Sequence, residues 1–473
     1  MMKTCKQPVY VSAIAILLIL TNLSCSSPDR PDPPMKTKDR ATVVVKTIQE
    51  ANTDISNQDR ETKYCKMACS EFVFYRGTNQ LFWKDFAGDN RLKDFGNAKT
   101  KIWLSGDMHA ENFGAYENNR GEIVYALDDF DDGIIADYQY DVWRMAASLA
   151  LVGRQNGLSA EEQNKGIDAF SESYLDTMAS YRGNDRELET YFTKDNTYGK
   201  LDDFLEGVEA SESRQKMLKK WTELDGNQRR FDLSKVKLGK ATASERQDIQ
   251  NAIADYKKTL TKKFNYDNDY FRVKDIAQRL LAGTGSLGIP RYYVLIEGET
   301  PSQKDDRILD IKLQSSPTAY DYLSQEEREK YDKNFNNEGQ RHALAYRALT
   351  KYTDNHLGWM KLGDGYYSVR ERSPFKETFD ITELTKEKRF VKLAEQWGQV
   401  LATAHARADK DFDATLVPYS IDKQVDELTD GRHKEFRQLV RELALTYADQ
   451  VEKDYGYFIE KLKPDSCSSG SCD

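Results

Sequence analysis

The sequence predicts an α+β protein in which two strand-rich stretches flank a largely helical body. Three observations carry this. Residues 72–75 and 123–127 near the start, and 291–297, 308–314 and 366–372 further on, are short β-branched or aromatic runs bounded by glycine or charged turns, which is how strands read in a sequence. Between them Val142, Met145, Ala146, Leu149 and Val152 recur at helical spacing, so residues 141–155 bury one face of a helix. The chain also has 473 residues, 39 % of them hydrophobic, 31 % charged and 11 % aromatic. That is enough for a sizeable core, and it excludes a small disulfide scaffold, a disordered chain and a polytopic membrane protein.

Taken in order, Lys3 and Lys6 precede an apolar run over 9–20 that ends at Asn22-Leu23-Ser24-Cys25. A charged start and a short apolar core read as a secretory leader, 1–24, and the small residue before a cysteine resembles the bacterial lipoprotein box, with a plain secreted form or an uncleaved anchor as the alternatives. Cys25 would carry the lipid and anchor an exported protein to a membrane of the cell envelope. Asn22 stands where that pattern usually has leucine. Residues 25–41 hold Pro28, Pro31, Pro33 and Pro34 among charges and form an extended tether. Helices are expected over 141–155, 160–181, 338–352 and 390–408, and over 245–264 behind a Ser244–Gln247 capping box. Phe436, Leu439, Val440, Leu443, Tyr447 and Val451 mark a long closing helix.

Four of six cysteines follow the tether, as Cys65 with Cys69 and Cys467 with Cys472. Local disulfides within each pair suit an oxidising compartment, and a zinc site is the rival. The net charge of −9 makes a nucleic-acid backbone a poor partner.

The chemistry concentrates in Ser105-Gly106-Asp107-Met108-His109-Ala110-Glu111-Asn112 and in Asp128-Asp129-Phe130-Asp131-Asp132 after the strand at 123–127. Phosphoryl transfer needs a carboxylate to take the nucleophile's proton, an amide oxygen and a second carboxylate on Mg²⁺, and a cation on the phosphates. Asp107, Asn112 and Asp129 match the first three in type and spacing. An acidic Asx-rich turn is the plainer alternative for either segment alone. Gly283, Gly285, Ser286 and Gly288 form a Gly-x-Gly-x-x-Gly turn before a strand, and Lys312 lies in a later strand. That is the arrangement of a loop covering ATP phosphates with a lysine reaching them. Glu338 or Gln340 could pair with Lys312 from the helix that follows.

In sequence order Lys66-Met67, 72–77, 106–114, 128–132, 283–288, Ile311-Lys312 and Ala404-His405-Ala406-Arg407 resemble the bacterial domain-of-unknown-function family 2252, over about residues 63–409. That family is similar to the protein-kinase-like superfamily, and its loop is closest to aminoglycoside phosphotransferases, whose Gly-Asp-Leu-His-x-x-Asn matches residues 106–112. Those enzymes usually have histidine where this chain has Ser105. Kinases also run from Gly-rich loop to catalytic loop, whereas here the order is reversed. The resemblance therefore implies a circularly permuted two-lobe kinase-like fold. Residues 42–280 would form a helix-rich C-lobe, 281–375 a small β-rich N-lobe and 376–473 the helices completing the C-lobe. It further implies bound ATP and Mg²⁺, with Asp107 and Lys312 catalytic, the glycines, Ser286 and Lys312 on the nucleotide, and Asn112 and Asp129 on the metal. Asp141 would brace the catalytic loop, Arg76 would approach phosphate or brace the loop, His109 and Asp131 would support it, and His405 and Arg407 would join a buried polar network.

The expected function is thus an exported ATP- and Mg²⁺-dependent phosphotransferase acting on a small-molecule hydroxyl or amine. Two other readings compete. A non-catalytic kinase-like binding lipoprotein fits a compartment without an ATP pool. A two-metal phosphoesterase would use Asp107-Met108-His109 and Asn355-His356, but five histidines in the whole chain supply few ligands for it.

Overall fold

The computed structural model describes residues 37–226, 228–261, 269–281, 283, 285 and 287–467. The expected leader, Cys25, Ser286 and Cys472 lie outside them. The first element, α1 (Thr37–Glu50), begins inside the expected tether. Its buried Arg40 bonds Asp85 at 2.6 Å and, through Nε, Asp454 at 2.9 Å, which ties the start of the chain to its closing helix.

The helices α2 (Asn57–Met67), α3 (Glu71–Arg76), α4 (Asn79–Phe86) and α5 (Leu92–Phe95) follow. Residues 72–75, expected as a strand, form α3 instead. The Ser70 side chain caps it by accepting from the Val73 N–H, and Phe72, Phe74 and Tyr75 are all buried. A short apolar run buried on every side carries no period by which helix and strand can be told apart.

Four short strands then place two loops side by side. They are β1 (Lys101–Leu104), β2 (Phe113–Glu117), β3 (Ile123–Leu127) and β4 (Ile134–Asp137). β1 pairs antiparallel with β4, Leu104 facing Ile134, and β2 with β3, Phe113 facing Leu127. Loop 105–112 therefore leaves and enters the strands beside the two ends of loop 128–133.

The helical body starts with α6 (Gln139–Gln155) and α7 (Ala160–Tyr181), the latter opened by a Ser159–Glu162 capping box. After α8 (Lys200–Ser211) and α9 (Arg214–Trp221) come β5 (Thr222–Asp225), β6 (Gln228–Phe231) and β7 (Leu238–Lys240). Next is α10 (Ala243–Lys258), which corrects the expected 245–264: Thr242 caps it, exchanging hydrogen bonds with Glu245. Threonine with glutamate three residues on fills both sides of the box, and this moves the start ahead of Ser244.

A six-stranded antiparallel sheet is completed by β8 (Val273–Arg279), β9 (Arg291–Ile296), β10 (Arg307–Leu313), β11 (Gly358–Leu362) and β12 (Gly365–Glu371), in the order β11-β12-β10-β9-β8-β7. Strand β9 shows the two-residue period. Tyr292, Val294 and Ile296 pack with Ile249, Ile253 and Tyr256 of α10, while Tyr293 and Leu295 pack with Met217, Leu218 and Trp221 of α9. Burial on both faces explains why β9 reads as an unbroken apolar run. Strands β7 and β8 come from before residue 281, so the sheet takes in chain that the sequence boundary assigns to the helical part. Leu238 and Ala277 share a layer with Tyr293.

Between β10 and β11 lie α11 (Gln325–Asn334) and α12 (Glu338–Leu349); β13 (Glu377–Thr378), α13 (Glu387–Arg407), α14 (Lys410–Asp413), α15 (Ile421–Thr429) and α16 (His433–Lys461) end the chain. Helix α13 lies directly on α7, where a Cβ on Gly398 would stand 2.4 Å from the Phe170 carbonyl oxygen. Only glycine allows that approach. The result is an α+β fold, and among the described residues no helix is long and apolar enough to cross a membrane.

Cys65 is bonded to Cys467, with a Cα–Cα distance of 5.2 Å and a sequence separation of 402. This overturns the local pairings of Cys65 with Cys69 and of Cys467 with Cys472. Cys69 follows Cys65 by four residues across the end of α2, and side chains one helical turn apart lean the same way instead of toward each other. Cys69 is disulfide-bonded as well. Closing so long a loop restricts the unfolded chain, which is typically worth about 2–4 kcal/mol. We expect Cys65→Ser with Cys467→Ser to lower the urea midpoint accordingly. A midpoint unchanged in the double variant would mean that α2 and α16 hold together without the bond.

Candidate functional site

Loop 105–112 is fixed from three directions. Gly106 has φ +78°, and a Cβ there would lie 2.1 Å from the Asp132 carbonyl oxygen, so glycine is required. The Asp141 carboxylate, near the start of α6, accepts the N–H groups of Ser105 at 2.8 Å and Gly106 at 3.0 Å. The Gly106 carbonyl accepts from Asn79 Nδ2 and Trp83 Nε1 of α4, both at 3.0 Å. Behind Asp141 stands His405 of α13, with Nε2 at 3.3 Å and Nδ1 at 2.8 Å from the Tyr174 hydroxyl. Ser105 also links the two loops, its hydroxyl donating to the Asp129 carbonyl at 3.3 Å.

Asp107 leaves this rigid turn toward Arg144, one helical turn beyond Asp141 on α6. Arg144 Nε donates to Asp107 Oδ1 at 2.8 Å, and Nη2 reaches the same oxygen. Burial, helped by the charges of Asp132 and Asp129 and opposed by Arg144, pushes Asp107 up to about 7. A carboxylate in that range is suited to taking a proton near neutrality. Lys63 of α2, 8 % exposed, lies in the field of Asp107 and Asp132, and burial brings it down to about 8.

Asn112 is oriented by its own loop. Its Nδ2 donates to the Asp107 carbonyl at 2.6 Å, which turns the oxygen end of the amide, the end a hard cation prefers, away from that carbonyl. Asp129 is exposed, and desolvation by its surroundings together with the Asp131 carboxylate raises it. Asp131 is opposite in behaviour. Although burial disfavours its charge, Lys312 and His342 hold it well below the usual carboxylate range.

Lys312 comes from β10, on the same face as Ile308 and Asp310, and its Nζ pairs with Asp131. Gln314 Nε2 donates to Asp131 at 2.9 Å, and His342 Nε2 of α12 stands 3.6 Å away. Asp132 accepts the Thr318 N–H at 2.5 Å. The sheet and the short turn after β10 thus meet loop 128–133 on consecutive carboxylates. The expected pairing of Lys312 with Glu338 or Gln340 is not what joins α12 to this junction. Glu338 accepts from Tyr331 and Arg341, and Gln340 accepts the Asn336 N–H. The contact comes instead from His342 and from Arg341, which is fully buried and donates to the carbonyls of Phe130, Gly133 and Ser315.

The remaining sequence candidates fall around this centre. Arg76 pairs with Glu111, and its Nε lies 3.4 Å from His109 Nε2. His109 Nδ1 accepts the Glu111 N–H, and burial with Arg76 and Arg144 holds this histidine well below its ordinary value. Gly283 and Gly285 are exposed between β8 and β9, and Gly288 has φ +77°. Arg407 donates to the Glu187 carbonyl at 2.8 Å. A cavity of about 240 Å³ behind loop 128–133 is lined by Asp128, Arg307, Asp310, Arg370, Glu371 and Lys376. Its charges are largely paired already, Lys376 with Asp128 at 2.9 Å and Arg307 with Glu371 at 2.7 Å.

Sequence reading missed Arg144, Asn79, Trp83, His342 and Lys63. Only Arg144 left a signal, as the one charge among the apolar residues from Val142 to Val152.

Fold and site together define an α+β protein with an acidic centre where two adjoining loops meet an antiparallel sheet. The model of the family described as "Uncharacterized protein conserved in bacteria (DUF2252)" matches residues 57–461, and the chain belongs to that family. No curated protein and no solved structure matches it.

Proposed function

We propose that this protein is an exported, lipid-anchored phosphotransferase of kinase-like, circularly permuted fold that uses Mg²⁺ and ATP to phosphorylate a small-molecule hydroxyl or amine. The observation that carries the reading is the meeting of Lys312 with Asp131, 181 residues apart, beside the loop that holds Asp107 and Asn112. Phosphoryl transfer asks for this set: a carboxylate base, an amide and a carboxylate for the metal, and a strand lysine after a glycine-rich turn. The strand order supports it too, since the glycine-rich turn joins β8 to β9, the lysine strand β10 follows, and α12 packs between that sheet and the metal-loop candidate.

In this reading Asp129 and Asn112 would hold Mg²⁺, which when bound would supply positive charge for the phosphate oxygens. Asp107 receives the acceptor's proton at its carboxylate. Asp141 and Gly106 keep that carboxylate in place, and Lys312 exchanges Asp131 for a phosphate oxygen. A non-catalytic nucleotide-binding role is favoured by one observation, the two bonds from Arg144 that occupy Asp107 Oδ1. The phosphoesterase reading gains nothing from His109, whose two ring nitrogens face Arg76 and the Glu111 N–H.

Calorimetric titration of Mg²⁺-nucleotide tests the proposal. The wild type should bind, and Asp129→Asn should weaken that binding strongly while Asn112→Ala weakens it in part, an amide being the poorer ligand. No binding by the wild type would sink it, and binding untouched by Asp129→Asn would remove the metal assignment. The anchoring has its own check. Cys25→Ser should move the protein from the membrane fraction to the soluble one, and wild-type protein found wholly soluble with its leader attached would refute it.

A further inference from the structure

The helical body carries a second acidic cluster, beyond the end of α13 and outside the junction just described. Asp185 stands at the start of the short turn Arg186–Leu188, Glu187 within that turn, and Asp411 on α14. One oxygen of each lies within 4.8 Å of the others. Asp185 and Asp411 are exposed, whereas Glu187 is 2 % exposed.

Among the described residues Glu187 Oε2 is buried without a hydrogen-bond partner. A buried carboxylate oxygen with no donor is costly, and two like charges beside it add to that cost. The cation at hand does not relieve it, because the Arg407 guanidinium donates to the backbone carbonyls of Glu187 and Thr190 and not to the carboxylates. Two other acidic clusters differ in this respect. Glu371, beside Asp354 and His356, already pairs with Arg214 and Arg307, and Glu172, beside Asp176 and His433, has Arg437 Nε 3.1 Å from its Oε2, an ion pair although that oxygen too has no hydrogen-bond partner among the described residues.

We propose that Asp185, Glu187 and Asp411 form a calcium site. The donors are all carboxylate oxygens, which excludes preference for a soft metal. Two of the three are exposed, which leaves room for the waters and the irregular six- to eight-fold shell that Ca²⁺ accepts and Mg²⁺ does not. The site is independent of the phosphotransferase reading.

The test uses mature Asp129→Asn protein stripped with chelator, so that metal binding at the other centre does not contribute. Ca²⁺ should bind at one site by calorimetry and raise the melting temperature in a concentration-dependent way, with Mg²⁺ giving a smaller shift. Adding Glu187→Gln or Asp411→Asn should abolish the Ca²⁺ response. In Ca²⁺-free buffer Glu187→Gln should melt no lower than its parent, since it removes a repelled charge, and exposed Asp411→Asn covers the case in which the buried substitution fails to fold. No Ca²⁺ response, a response that survives both substitutions, or an equal response to Mg²⁺ would overturn the assignment.

Discussion

Asp107→Asn should lower the turnover of the proposed reaction by about 10²–10⁴-fold, the usual worth of a positioned general base, while Mg²⁺-nucleotide binding stays close to wild type. The asymmetry follows from where the carboxylate sits. Asp107 is held on one oxygen by Arg144, and an asparagine oxygen can accept the same bond, so the loop keeps its shape. The metal candidates Asn112 and Asp129 are untouched. What is lost is proton acceptance, a requirement of the transition state and not of binding, so kcat should fall and KM for the nucleotide should hold. Steady-state kinetics with calorimetry on the same preparation separates the two quantities. Equal loss of binding and rate would place Asp107 on the metal, and unchanged turnover would remove it from the chemistry.

Asp141→Ala should be among the most damaging single substitutions, costing about 3–5 kcal/mol, since each buried donor left without an acceptor costs about 1–3 kcal/mol. Three groups lose their acceptor at once: the N–H groups of Ser105 and Gly106 and the ring of His405. Water cannot replace them, because Asp141 is 1 % exposed and His405 is fully buried. Asp141→Asn should fall between the two, since its amide keeps one accepting oxygen but turns N–H toward N–H on the other side. Urea melts read the cost as a midpoint shift at constant slope. A shift under about 1 kcal/mol would mean that Asn79 and Trp83 hold the loop without it.

Much of this site was legible because it is local. Asp107 and Asn112 lie on one loop, Asp129 on the loop that the β1–β4 and β2–β3 pairings bring beside it, and Asp141 within one helix of both. Lys312 was legible from its strand, yet its partner was not. Choosing Asp131 over Glu338 depends on how the sheet rides over loop 128–133, and the helix next in sequence does not determine that. Asn79 and Trp83 are ordinary core-helix residues until Gly106 arrives to accept from them. The error at 72–75 has the same origin, because complete burial erases the period that distinguishes a strand from a helix. So does the error in cysteine pairing, where proximity in sequence stood in for proximity in space.

The closure of the chain on itself has a kinetic consequence. Asp141 meets His405 across 264 residues, Arg40 meets Asp454 across 414, and Cys65 meets Cys467 across 402. Folding slows as such distant contacts come to dominate, because each closes a long loop before it returns any stabilisation. A chain emerging N-terminus first presents the acid loop and its hairpin well before α13 supplies His405 or α16 receives Arg40. Until then loop 105–112 has only part of its support, and the apolar faces of α1 through α4 wait for a helix not yet made. Refolding should therefore be slow for a protein so rich in helix, with the N-terminal third the segment most dependent on protection from aggregation while it waits.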